Sequence, residues 1–148
     1  MRIYLPLTDL DRPVLEHAGR TLSLEAGRPA WGVTSSARTD RPGQDEEDLE
    51  YDALQDAVHV AWSASDPAAR ALVIAADAPE SGFVDSSEDG GAFGVRAREA
   101  VEARIASFHV TELGAADAAA DDTDPALLWF DLSESAAALA YVGGHAPS

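Results

Sequence analysis

One short apolar run constrains this chain more than any other feature. Ala71-Leu72-Val73-Ile74-Ala75-Ala76 has no polar residue in six positions. It is far too short to span a bilayer. Its lack of alternation and its β-branched centre read as a buried central strand. A strong helix signal precedes it. Asp45 can cap, and Glu46, Glu47 and Asp48 occupy a first turn whose dipole favours negative charge. Tyr51, Leu54, Val58, Ala61 and Trp62 then recur at helical spacing. That helix is expected to end near Ser65-Asp66-Pro67, because the residue before proline avoids the α region.

The remaining elements are weaker. Arg2–Leu7 reads as a strand, and Leu10–Ala18 as a short helix with Pro13 in its first turn and Gly19 as its stop. Ala30–Thr34 reads as a second strand, and Ser35–Gln44, with Pro42-Gly43, as a loop. Ala78–Ala92 reads as a long loop, Phe93–Arg98 and Ile105–Glu112 as strands joined by a turn, and Leu113–Ala120 as an alanine-rich helix ended by Asp121–Pro125. Ala126–Leu132 is a last strand, Ser135–Val142 a terminal helix, and Gly143–Ser148 a frayed tail. The fold class expected is α/β (α+β): a mixed five- to six-stranded sheet with two or three packed helices, in one domain over residues 1–142. Helices between the early strands suggest parallel crossovers, and the later strands antiparallel pairing. The residues leave open whether one face of the sheet is covered or both.

Composition closes off chemistry. All ten basic residues are arginine, and there is neither lysine nor cysteine. Schiff-base catalysis, a P-loop lysine, thiol nucleophiles, thiolate metal sites and disulfides are therefore excluded. No cofactor is expected. Twenty-seven acidic residues against ten basic ones give a net charge of −17. Direct binding to nucleic acid or to an anionic membrane is unfavoured on that surface. The N-terminus, Met1-Arg2-Ile3-Tyr4-Leu5-Pro6, lacks a signal-peptide apolar region, so a cytoplasmic location is expected.

Reactive groups are sparse. If the crossover strands are parallel, ligands gather at their carboxyl ends, which selects Thr8, Asp9, Thr34, Ser35, Ser36 and Asp77. Asp52, Asp56 and His59 fall at helical spacing and suit a metal, although any solvated helix face shows the same pattern. Strand alternation sets His109 opposite Phe108 and Val110, facing solvent, a helix or a cleft. Asp85-Ser86-Ser87-Glu88-Asp89-Gly90 imitates half of a calcium loop, but Arg96 stands where the bidentate glutamate belongs.

Five segments in order, MRIYLPLT, EDLEYDAL, ALVIAADAP, VEARIASFHV and LLWFDLSE, resemble an uncharacterised family of small actinobacterial proteins, a domain of unknown function. The stretch Ser35–Gln44 departs from it. The resemblance implies a single cytoplasmic domain and assigns no activity. The matched segments contain Tyr4, Thr8, Glu50, Tyr51, Asp77, His109 and Trp129, which join Thr34 as candidate ligand-binding residues; no metal site and no catalytic residue is assigned. The leading expectation is a non-catalytic module that binds a protein or small molecule through the rim near Thr8, Thr34 and Asp77. A second is a small hydrolase or lyase using carboxylates and His109, with or without a divalent metal. It requires His109 to meet Asp77, Glu50 or Asp131 within hydrogen-bond reach. A third is an acidic decoy for a nucleic-acid-binding partner.

Overall fold

The computed structural model describes residues 1–63, 69–86, 93–114 and 126–143. The described elements are β1 (Arg2–Pro6), α1 (Arg12–Glu16), β2 (Thr21–Leu24), β3 (Pro29–Gly32), α2 (Ser35–Asp40), α3 (Glu46–Ser63), β4 (Leu72–Asp77), β5 (Phe83–Asp85), β6 (Gly94–Ala97), β7 (Val101–Thr111), β8 (Leu127–Asp131) and α4 (Ser135–Val142). All eight strands join one sheet in the order β2-β7-β4-β1-β3-β6-β5. β8 also pairs with β7: β2 takes Val101–Arg104 and β8 takes Ser107–Thr111, so the two share one side of β7 end to end.

Among the described residues there are eight strands and four helices, where five or six and two or three were expected. β2 and β5 are only four and three residues long, which is why neither stands out in the sequence. α2 replaces the loop expected at Ser35–Gln44. Its cap is Thr34, whose side chain accepts the Ala37 N–H at 3.1 Å, and only Ala37 is buried. With no apolar stripe, such a helix gives no periodic signal. Leu113 and Gly114 are not helical; the rest of the helix expected at Leu113–Ala120, the break at Asp121–Pro125, the stop at Ser65–Pro67 and most of the acidic loop and tail lie outside the described residues.

Every strand pair is antiparallel, against the expected parallel crossovers. One trace of a crossover survives. β1 runs antiparallel to both β3 and β4, so those two run the same way with β1 between them. The chain passes from β3 to β4 through α2 and α3. Gly32 permits the close approach of β3 to β1, since a Cβ there would sit 3.0 Å from the Arg2 carbonyl oxygen.

Both faces of the sheet are covered. On the inner face Ile3, Leu5, Leu72, Ile74, Phe108 and Val110 are buried beneath α1 and α4, which supply Leu15, Ala138 and Tyr141. The same cluster joins Leu22 and Leu24 of β2 to Phe83, Val95 and Ala97 of β5 and β6, from opposite ends of the strand order. The sheet is therefore curled into a half-barrel. Gly27 and Arg28 fasten the curl through backbone bonds with Ala97 at 2.8 and 3.0 Å. On the outer face Tyr4, Trp31, Val73 and Ala75 pack against Leu49, Ala53, Ala57 and Val58 of α3. Burial of the β4 run on both sides explains its unbroken apolarity.

A bulge decides what β7 offers to each face. Ala75 pairs with Ser107 but Ala76 with Ile105, leaving Ala106 unopposed. Ile105 and Phe108 consequently both enter the inner core. Ser107 and His109 turn to the outer face.

Candidate functional site

The helix α3 packs over β1, β3 and β4. The outer face of β7 and β8 lies beside it rather than beneath it. Register places the side chains there in cross-strand rows. Arg2, Asp77 and Arg104 form the first row, and Tyr4, Ala75, Ser107 and Asp131 the second. Val73, His109 and Trp129 form the third. Ala75 is the small member of its row, set between Tyr4 and Ser107.

His109 is the most perturbed group in this strip. Its ring meets the Tyr4 ring edge-on with centroids 6.4 Å apart, and its Nε2 lies 3.4 Å from Ser107 Oγ. Burial, and next the nearby Arg2 charge, lower its pKa from 6.5 to about 4. The ring is therefore neutral at pH 7. Tyr4 is displaced the other way, to about 12, first by burial and then by the Glu50 carboxylate. Arg2 is committed to Asp77, with Nε 2.8 Å from Oδ1 and Nη2 3.3 Å from Oδ2. That hydrogen bond raises the Arg2 pKa. Trp129 stands in register with His109 and is 61% exposed.

The candidate residues thus divide. Tyr4, Glu50, Asp77, His109 and Trp129 share or border this strip. Thr8 does not. It follows the far end of β1, six positions beyond Arg2, and lines a separate cavity of about 380 Å³ with Arg12, Arg70 and Val142. Thr34 and Asp77 do lie at one end of the sheet, as the shared direction of β3 and β4 requires. Thr34, however, lines another cavity, of about 520 Å³, with Glu80, Asp85 and Arg98. The single rim expected around Thr8, Thr34 and Asp77 is broken because β1 runs against its neighbours and carries Thr8 to the opposite end. Tyr51 lies on the exposed side of α3.

The helix trio does not converge as a metal site. The His59 ring packs edge-on against Trp62 at 5.8 Å, with Nδ1 2.7 Å from the Gln55 carbonyl oxygen. Asp56 has a raised pKa because it is partly buried. Among the described residues no group of three or more histidine, aspartate or glutamate side chains is arranged to hold a metal ion.

Sequence reasoning missed three features. Ser107 lies two residues before His109 and shares its face by ordinary strand alternation. Arg2 enters through the antiparallel pairing that sets it against Asp77. Asp11 is a buried acid whose oxygens take Arg28 at 2.8 and 3.1 Å and the Thr8 N–H at 3.0 Å. Asp11 also carried a sequence signal, as a polar residue two positions before Pro13.

These features define a helix-covered antiparallel α/β half-barrel with a polar and aromatic strip on its outer face. The chain belongs to DUF6912, a family of unknown function, whose sequence model matches residues 1–139. No curated protein and no solved structure matches it. Among the described residues no helix is long and apolar enough to cross a membrane.

Proposed function

We propose that this chain is a non-catalytic binding module whose recognition surface is the β7–β8 strip around Tyr4, Ser107, His109 and Trp129. One observation carries the reading: an exposed tryptophan stands in register with a half-buried, neutral imidazole, beside rather than beneath α3. Exposed tryptophan is an anchor typical of interfaces. A neutral imidazole beside a hydroxyl supplies one donor and one acceptor for orientation. The net charge of −17 favours a neutral or cationic partner and disfavours a phosphate backbone. The expected cytoplasmic location accords with such a partner.

Support for the hydrolase reading is weaker. It needs a carboxylate on His109, but Asp77 and Asp131 have other partners, and Glu50 acts on Tyr4. Asp77 holds Arg2, while Asp131 accepts the Leu132 N–H at 2.8 Å and the Ser133 hydroxyl at 3.0 Å. The test labels the three tryptophans with 5-fluorotryptophan and follows their ¹⁹F lines against pools of peptides and small metabolites. The expected result is a ligand that moves the Trp129 line and leaves that of buried Trp31 unmoved. A turnover abolished by His109→Ala or Asp77→Asn would overturn the reading, as would ligands that move only Trp62.

A further inference from the structure

Among the described residues no strand pairs with the outer side of β8, and its register shows which backbone groups point there. The Glu112 N–H donates to the Ala126 carbonyl oxygen at 3.0 Å. In an antiparallel ladder, hydrogen-bonded positions alternate. Leu128 and Phe130, paired with Val110 and Phe108, therefore turn their N–H and C=O toward β7. Leu127, Trp129 and Asp131 turn theirs outward. The Asp131 N–H confirms the direction, since it is taken from outside by Glu134 Oε1 at 3.0 Å. That contact closes one end of the edge. The outward N–H and C=O of Leu127 and Trp129 have no partner among the described residues. They are two residues apart, the spacing at which an added strand pairs.

Edges are usually blunted by lysine, proline, bulges or very short strands. β8 has none of these over Leu127–Asp131 and exposes a tryptophan instead. The other two edges differ. β5 is three residues long, and Ser36 binds its Asp85. β2 exposes Thr21 and Ser23, and its partner strand brings Arg104. Along the sequence, acids dominate the stretch that carries β8, and Arg70, which reaches the Glu112 carbonyl oxygen, is already held there and by the Tyr141 carbonyl oxygen. From Glu112 to Glu134 the sequence has four aspartates before Pro125, then Asp131 and Glu134, and no arginine.

From this geometry we infer that β8 captures an extended basic peptide as an added strand, paired to the backbone of Leu127 and Trp129 with an arginine side chain over the Trp129 ring. The inference rests on the reading of the β7–β8 strip as the recognition surface and names its partner. Backbone pairing supplies affinity, and side chains on alternate positions supply selection. A guanidinium over an indole face is a favourable cation–π arrangement. A second copy of this chain suits the edge poorly, because each copy carries the same −17 charge.

The test uses the full chain and an octapeptide of alternating arginine and valine. Saturating peptide is expected to slow amide hydrogen exchange at Leu127 and Trp129, with little change at Leu128 and Phe130. N-methylating the peptide on alternate amides in the pairing frame is expected to weaken binding about tenfold or more, and methylation in the other frame by less than about twofold. Trp129→Pro, which removes an outward N–H and the ring, is expected to weaken binding similarly; the methylated peptides make the same point without altering the protein. Equal weakening in both methylation frames, or equal binding of a glutamate–valine octapeptide, would overturn the inference. So would slowed exchange at Leu127 and Trp129 in peptide-free protein at rising concentration, which would assign the edge to a second copy. A ligand that moves the Trp129 ¹⁹F line without slowing those two amides would overturn strand addition while sparing the recognition strip.

Discussion

Burial of His109 makes the protein acid-labile in a defined window, and His109→Gln isolates that effect. In the unfolded chain the imidazole titrates near 6.5; in the fold it titrates at about 4. Above pH 6.5 the ring is neutral in both states and contributes no pH dependence. As pH falls from 6.5 toward 4, the unfolded chain takes up a proton that the fold refuses. Stability is therefore lost across that window and levels off below the folded value. The gap between 6.5 and about 4 corresponds to about 3 kcal/mol, a large share of a typical domain's stability. Urea unfolding of the wild type and His109→Gln at a series of pH values measures it. Every other ionisable group is common to the two proteins, so the difference between them isolates His109. The wild type is expected to lose about 3 kcal/mol more than the variant between pH 7 and pH 4. Parallel stability curves, or a His109 ring resonance titrating near 6.5, would refute the argument.

Three further perturbations follow from named contacts. Arg2→Ala removes an exposed ion pair, costing less than about 1 kcal/mol, and takes away a positive charge that depresses His109. The NMR-measured pKa of His109 is expected to rise, and an unchanged value would contradict the proximity. Asp11→Asn unpairs Arg28, whose side chain is only 14% exposed against 5% for Asp11. Thermal or urea unfolding is expected to show a loss of about 3–5 kcal/mol, and a loss below about 1 kcal/mol would place the pair at the surface. Gln55 buries both amide atoms without a hydrogen-bond partner among the described residues. Gln55→Leu is expected to stabilise the fold by about 1–3 kcal/mol in urea unfolding, and a destabilised variant would show that the amide is satisfied.

The sequence revealed the elements whose signals are strong and local. α4 spans Ser135–Val142 as expected, and α3 begins at Glu46, where the acidic first turn places it. The apolar run became β4, buried on both faces by elements far away in the chain. What stayed hidden was pairing. β2 alternates exposed and buried residues over only four positions, too few to separate from a turn. Antiparallel direction was obscured because α2 and α3 do form a connection between co-directional strands, with β1 inserted between them. The site was half visible for the same reason. Alternation correctly set His109 against Phe108 and Val110 and also puts Ser107 on its face, but Tyr4 joins it through a strand pairing that no local pattern encodes. Thr8 was misplaced by strand direction alone.

Amide hydrogen exchange in the free protein tests the β8 register on which the recognition strip depends. Leu128 and Phe130 are expected to exchange slowly, because their N–H groups point into the ladder with β7. Leu127 and Trp129 are expected to exchange fast, because theirs point to the outer side of β8. Slow exchange at Leu127 and Trp129 with fast exchange at Leu128 and Phe130 would shift β8 by one residue. Trp129 would then turn away from His109, and the strip would be lost.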